Sequence, residues 1–469
     1  MFTSLWRGLV PAVVALCLWG CQHIPPQPVD FTATRDAHRA RLPELEPVRA
    51  YLDRAYPHSS APVDTFNLDD GVSLEEGQAL ALWYNPQLRI VRIEAEGAAA
   101  LAAASGRWPD TQLEISAGRK EIEESTRGLL REAGSVSREW IDAAALQITV
   151  PLSGRLRAER RLFEASHHVA LAAAAEAEWQ TLRQVREAWA AWTHATRAAE
   201  LAATHAAQLA EFARVAQALA QAGELTPTTA RMFTIEQQHW TLEAARREAE
   251  VRQLQGELFR QMGLLPGLPL ILHPLAAPAQ PHAHGELPKD HPALLHAEAV
   301  YAAAEASLVH ELRNQYPDVV LSPLREDDAG ETSLQLGLGI PLPTWNANRA
   351  GIAEARAARD TARARYEAAV FELDAELRLA LEAHANADTH RRELAEKQAP
   401  LLDQQLDEVR RFLDAGELDL LAMHEALQQA REFRDAFLLA VLAEQQAAAR
   451  LAAALNQEPL LSPMMEEEH

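Results

Sequence analysis

The chain has 469 residues, a formal charge of −23 and only 6% aromatic residues. That length suffices for two or three ordinary domains, and so acidic a chain is excluded from binding nucleic acid through its bulk surface. Ala, Glu, Arg, Leu and Gln dominate, which is the composition of long helices and coiled coils.

The opening MFTSLWRGLVPAVVALCLWGC carries Arg7 and then an apolar run from Leu9 to Trp19. The run is too short to span a bilayer and suits the core of a signal peptide over 1–20. It ends in Leu18-Trp19-Gly20-Cys21, which resembles a bacterial lipobox, although Trp19 is foreign to that motif. Two readings stand. Cleavage before Cys21 leaves its thiol to take a lipid, or this is an ordinary signal peptide with a chance Cys. The first is favoured because CQHIPPQPVD then reads as a tether behind an anchor, making 21–70 a lipid-anchored arm. Gln22 rather than Asp after the Cys resembles the sorting rule for the outer membrane. Cleavage also removes Cys17, so the mature chain keeps no disulfide and no Cys-based metal site.

From about residue 71 the sequence echoes itself. WYNPQLRIVRIEAEGAAALAAASGRWPD (83–110) pairs with DHPALLHAEAVYAAAEASLVHELRNQYPD (290–318), and QITVPLSGRLRAERRLFEA (147–165) with GLGIPLPTWNANRAGIAEA (337–355). Ala-Gly-Glu-Leu occurs in ALAQAGELTPTTA (218–230) and again in RFLDAGELDLLAM (411–423). The order is the same in both copies and the period is too long for a solenoid. The pattern predicts two structural repeats, 71–267 and 290–456, joined by a Pro-rich extended linker at 268–289 and followed by a tail at 457–469.

Each repeat contains two alternating stretches, at about 110–150 and 318–340. Leu113, Ile115 and Ala117 share one face; so do Ala144, Leu146, Ile148 and Val150, and Leu334, Leu336, Leu338 and Ile340. DVVLS (318–322) is weaker but compatible. Four strands of about nine residues, apolar on one side, have the length and pattern to cross a bilayer when tilted. A soluble sheet with one wet face is the plainer alternative, but no other apolar layer is offered to cover it. Four strands cannot close and an open edge does not survive in hydrocarbon, so three copies are expected to close a twelve-stranded barrel. The connection in the first hairpin, roughly Arg119–Asp142, is long and charged; that in the second, about Arg325–Gly330, is short.

The rest predicts helices. Gly154 to about Gln221 contains neither Pro nor internal Gly, giving a helix roughly 100 Å long. Asn346 to Ala415 repeats it, with Pro400 expected to kink it. Each turns at Ala-Gly-Glu-Leu and returns through 227–262 or 418–456, with Gly223 and Gly416 suited to the left-handed turn position. Ala stands where a globular core uses Leu, which permits the close packing of a thin wall; an ordinary coiled-coil stalk has similar composition.

In this order the features resemble the TolC-like outer-membrane efflux protein family, from about residue 71 onward. The resemblance rests on SLEEGQALALWYNPQL (73–88), on the doubled strand–Pro-Leu–helix junction, on IPLPTWNANRAGIAEARA (340–357), which looks like the heavy-metal and lipoprotein branch, and on the paired tips. His291-Pro292 departs from the family's Asn-Pro, and Gly77 from its usual Ala. The resemblance implies a mainly α fold with a membrane β-barrel portion. A homotrimer would form the barrel in the outer membrane of a Gram-negative bacterium and an α-helical tunnel through the periplasm. It implies a passive conduit whose partners are a periplasmic adaptor (membrane fusion) protein and an inner-membrane pump of the RND type. The tip residues Gly223, Leu225, Gly416 and Leu418 are then candidates for adaptor docking, unless they serve plain turn geometry. Asp414, Glu417, Asp419 and Glu224 are candidates for acidic rings around the aperture, drawing cations; the alternative is that they are solvated acids at a helix turn. The 340–355 stretch and the acidity favour heavy-metal cations or other small toxic solutes as cargo.

The chain has 18 His, but His167 and His168 face different ways on a helix and His282 and His284 lie in the linker without a carboxylate frame. No metal site, cofactor or catalytic residue is expected, since no nucleophile elbow, phosphate-binding Gly loop or His-Glu-x-x-His is present. The rival function is a structural one: an outer-membrane lipoprotein acting as a coiled-coil spacer or periplasmic adaptor.

Overall fold

A computed structural model describes residues 24–56, 66–123, 136–275, 286–328, 331–343, 345–414 and 420–457. They fall in two units, the first ending at Pro43. In the first, helix α1 (Phe31–Ala40) starts at Asp30, whose carboxylate accepts from the Thr32 and Ala33 amides at 2.8 and 3.1 Å.

The second unit begins with α2 (Leu45–Ala55), which buries Val48 and Leu52. The sequence suggests only an arm over 21–70; the apolar spacing of Leu45, Val48 and Leu52 makes a helix of part of it. Next come α3 (Leu74–Tyr84), α4 (Pro86–Ala104), β1 (Gln112–Glu123), β2 (Val136–Val150), α5 (Arg155–Ala222) and α6 (Pro227–Gln261). They are followed by α7 (Pro292–Asn314), β3 (Val319–Asp328), β4 (Glu331–Gly339), α8 (Arg349–Glu393), α9 (Ala399–Asp414) and α10 (Leu420–Ala454). A helix, two strands and long helices that double back thus occur twice in the same order.

The four strands form one antiparallel sheet in the order β1-β2-β3-β4. β1 and β2 are longer than the alternation suggests, at 12 and 15 residues. Arg119 to Glu123 pairs with Trp140 to Val136, so much of the charged connection expected over Arg119–Asp142 is strand. The same holds on a smaller scale over Arg325–Gly330, where Arg325 to Asp328 pairs with Leu334 to Glu331. The backbone ladder continues where the apolar pattern has ended, because strand pairing needs no buried face once neighbouring strands are already in register.

Where the strands pass into helix, proline is not the first helical residue. α5 starts behind Gly154 at φ +74° and α8 behind Ala347 and Asn348 at φ +43° and +53°. A left-handed residue turns the chain sharply from strand into helix. Asn348 holds its conformation by donating from its side-chain amide to the Glu311 backbone oxygen at 2.9 Å and carboxylate at 2.6 Å. The kink expected at Pro400 takes the form of a π-helical turn over Leu394–Gln398 between α8 and α9. Pro400 has no N–H and its ring crowds the carbonyl four residues back, so the ladder widens just before it.

The main core lies where α2, α3, α5 and α6 meet. Leu80, Leu82, Leu182, Trp189, Leu258 and Met262 are fully buried there. A capping box starts α3: the Ser73 hydroxyl accepts from the Glu76 amide and Glu76 accepts from the Ser73 amide at 2.8 Å. Gly77 leaves room for Trp189, whose ring would lie 2.2 Å from an added Cβ. The start of the Pro-rich segment is more than a spacer. Leu268, Leu270, Leu272 and Leu275 pack on this core, Leu272 bridges Val72, and the Trp189 indole donates to the His273 carbonyl at 2.9 Å.

Candidate functional site: a two-faced sheet and the helical tips

The strand registers align most of the apolar positions across the sheet, with Arg325 between Ala144 and Leu334 as the exception. Leu113 lies opposite Leu146, Pro323 opposite Leu336, and Ile148, Leu321 and Leu338 fall in one row. Leu334, Leu336 and Leu338 are 82, 75 and 63% exposed. The opposite face carries Glu114, Gln147, Ser322, Gln335, Gly337 and Gly339 in matching rows. At one end the apolar rows give way to a row of Ala117, Asp142, Asp327 and Thr332. Within the described residues, β1 and β4 each have one edge without a partner. A wide, exposed leucine face and two open edges are what a soluble sheet avoids.

At the turn between α5 and α6, Gly223 adopts φ +82° and its amide donates to the Ala220 carbonyl at 3.3 Å, while Glu224 donates to the Leu219 carbonyl at 2.9 Å. Thr226 then caps α6 by accepting from the Thr229 amide at 3.2 Å. Leu225 packs on a small cluster of Ala213, Ala216, Ala230 and Phe233, so it closes the turn internally; Glu224 is exposed. Asp414 is the last residue of α9. Cys21, Gly416, Glu417, Leu418 and Asp419 lie outside the described residues, as do His282 and His284. Among the described residues no group of three or more His, Cys, Asp or Glu has metal-binding geometry.

Three polar clusters were not foreseen. Glu178, buried on α5, accepts from Arg92 at 2.6 and 2.8 Å, from the Tyr51 hydroxyl at 2.7 Å and from the Tyr56 hydroxyl. Burial, reinforced by the Glu178 charge, pushes both phenols well above their usual range, so they remain donors. Nearer the tips, Glu236 of α6 meets His424 of α10 at 3.0 Å, and the Arg431 guanidinium sits 4.6 Å from the Trp240 ring centre. His205 stands edge-on to Trp240 at 4.7 Å; burial, with help from Arg431 and His424, lowers its pKa to about 4. A cavity of about 630 Å³ runs beside this cluster, bounded by Met232, Ile235, His239 and Gln428 among others. Third, His291 takes the place of Asn in front of Pro292. Its Nδ1 accepts from the Ala293 amide at 3.3 Å, as the Asn85 carbonyl oxygen does from Gln87 at 2.9 Å. Burial lowers its pKa and keeps it neutral for that purpose. Sequence spacing signals none of the partners in the first two clusters, which are far apart in the chain.

Comparison with known proteins agrees with this architecture. Residues 285–457 match the family model described as outer membrane efflux protein. No curated protein matches the sequence. Among solved structures, the outer-membrane channel OprN shares 19% identity with a TM-score of 0.67, over 94% of this chain and 99% of its own. CusC, studied for the conformational changes that accompany folding and transmembrane channel formation, shares 16% with a TM-score of 0.67, over 85% and 96%. The open state of the Neisseria gonorrhoeae MtrE outer membrane channel shares 18% with a TM-score of 0.64, over 83% and 90%. Residues 285–457 thus match the outer membrane efflux protein family in sequence, and the chain as a whole shares the fold of these channel structures.

Proposed function

We propose that three copies of this chain close a twelve-stranded barrel in the outer membrane and continue as a helical conduit for passive export from the periplasm. The observation that carries the reading is the sheet: a wide, mostly apolar face, interrupted by Arg325, and two edges without partners among the described residues, in a single antiparallel layer. Pairing β4 of one copy with β1 of the next satisfies both edges, and lipid covers the face. A coiled-coil spacer would have no use for either feature. Energy would come from an inner-membrane pump of the RND type through a periplasmic adaptor docked at the tips, with Gly223, Leu225, Gly416 and Leu418 at the contact. Cys21 would carry a lipid anchoring the arm. Asp414, Glu417, Asp419 and Glu224 would ring the aperture. With the chain's charge of −23, this favours heavy-metal or other cationic cargo over anions. The division into repeats at 71–267 and 290–456 belongs to the same proposal.

Electron microscopy of the protein extracted from outer membranes, paired with conductance in a planar bilayer, tests this. Threefold hollow particles that conduct, with cations preferred, are expected. Monomeric solid rods without conductance would leave the spacer.

A further inference from the structure

Within the ladder, the apolar positions of β4 alone do not cover the membrane it would cross. From Leu334 to Leu338 the chain advances roughly 13 Å, and a tilt of about 40° leaves roughly 10 Å of height, against an apolar band of about 25 Å. The alternation does not stop at the end of the ladder, however. It runs on through Ile340 and Leu342 after β4, and through Leu152 after β2. All three are exposed, Leu342 and Leu152 strongly so. Pro341, Pro343 and Pro151 keep these segments extended without needing strand partners. Including them lengthens the apolar run from Leu334 to roughly 26 Å, or about 20 Å in height.

The same level carries the most exposed tryptophans among the described residues, Trp108 at 62% and Trp345 at 91%, together with exposed Tyr316. Trp108 and Tyr316 precede β1 and β3; Trp345 follows β4. A missing neighbour at the open edges does not account for all of this. Leu152 and Tyr316 flank the inner strands β2 and β3, which are paired on both sides, and do not adjoin the open-edged strands β1 and β4. Just below, Arg157, Arg160 and Arg161 share one face of α5 and are exposed, with Glu164 3.9 Å from Arg160 as the acid on that face, and α5 has no acidic residue in its first turn. Like charges at this spacing repel, and cations disfavour a helix start. Gly106, two residues from Trp108, lies against Arg160, whose Cβ would be 3.0 Å from an added side chain. The basic face and the aromatic rim are therefore neighbours in an otherwise acidic chain.

We propose that these strand roots form a lipid-binding collar. Leu152, Leu342, Trp108 and Trp345 enter the periplasmic edge of the bilayer, and Arg157, Arg160 and Arg161 meet the phosphates of anionic phospholipid. This rests on the barrel reading above. It adds where the membrane ends and which headgroup it prefers.

The test uses the full chain reconstituted in phosphatidylethanolamine vesicles with varied phosphatidylglycerol and with phosphatidylcholine brominated high on its acyl chains. Exchanging Trp108→Phe and Trp345→Phe together is expected to lower the lipid-quenchable emission roughly twofold or more. Phosphatidylglycerol is expected to raise the unfolding temperature of the native chain, and the triple variant R157Q/R160Q/R161Q is expected to lose that rise. Leu336→Trp in the double-Phe background serves as the internal reference. If that reference is quenched while native Trp108 and Trp345 are not, the sheet is in lipid but the collar is wrong, whether because the bilayer ends higher or because a neighbouring copy covers the rim. If the reference itself escapes quenching, the barrel reading falls. A native chain indifferent to phosphatidylglycerol overturns the headgroup contact.

Discussion

The sheet and the helical core around Trp189 use the same kinds of residue in opposite ways. Leu336 is 75% exposed, with Leu113, Leu146 and Pro323 in its row, and no layer among the described residues lies above them. Trp189 is 0% exposed, seated on Gly77 and hydrogen-bonded to the His273 carbonyl. In water the first arrangement is a liability and the second is the usual driving force for folding. On the barrel reading proposed above, the chain is built for two solvents: its helices bury apolar groups inside the protein, and its strands would bury them in lipid.

The largest effect should come from breaking the core. Trp189→Ala removes a fully buried ring, leaves a cavity and orphans the His273 carbonyl, so a loss of about 3–5 kcal/mol is expected in denaturant unfolding of the helical part. The same change in stability should appear in detergent and in lipid alike. Leu336→Arg sharpens the contrast, because its penalty should depend on the solvent. About 2–4 kcal/mol is expected in a bilayer and almost nothing in a mild detergent that lets the side chain reach water. Gln335→Arg, one residue away on the other face, should be tolerated in both. Equal penalties at 335 and 336 would mean the two faces of the sheet are not in different solvents. Next comes Glu178→Gln. It leaves Arg92 without its counter-ion where Tyr51 and Tyr56 also converge, and about 2–3 kcal/mol should be lost. Protease clipping of the arm around α2 should speed up before the rest of the chain opens.

Much of the fold was legible because it is written in local pattern. Period-two alternation marked the apolar strand segments, the absence of Pro and Gly marked α5, and Ala-Gly-Glu-Leu marked the turn at Gly223. The ends of elements were read less well. β1 and β2 extend through charged residues such as Arg119 and Glu121, since a ladder propagates beyond the segment whose apolar face nucleates it. α2 was passed over because its short apolar stripe finds a partner only on α3 and α5. The polar clusters were invisible for a simpler reason. Arg92 and Glu178, or Glu236 and His424, are brought together by helix packing, and one sequence carries no trace of that. The docking and aperture residues were read from resemblance and turn chemistry. Of these, Gly223, Glu224 and Leu225 form the turn between α5 and α6, where Leu225 has a packing role.

The smallest effect is a dependence on pH that belongs to the helices and not to the sheet. Neutral imidazole in the unfolded chain takes a proton near pH 6.5, whereas His205, edge-on to Trp240 and faced by Arg431 and His424, does so only at about 4. Between those values the unfolded chain binds more protons than the folded one, so this residue's contribution to stability rises with pH and is lost as pH falls from about 6.5 to about 4. The total at stake is on the order of 1–3 kcal/mol. His205→Phe keeps the edge-to-face contact with Trp240 but cannot take a proton. Its unfolding midpoint should match the native chain above pH 7 and exceed it near pH 5, flattening the slope between. Parallel slopes in the two chains would show that the acid sensitivity arises elsewhere, with Glu236 and His424 the next pair to replace. Since none of the four described strands carries a His, barrel insertion followed through a tryptophan at 336 should be unchanged across the same range.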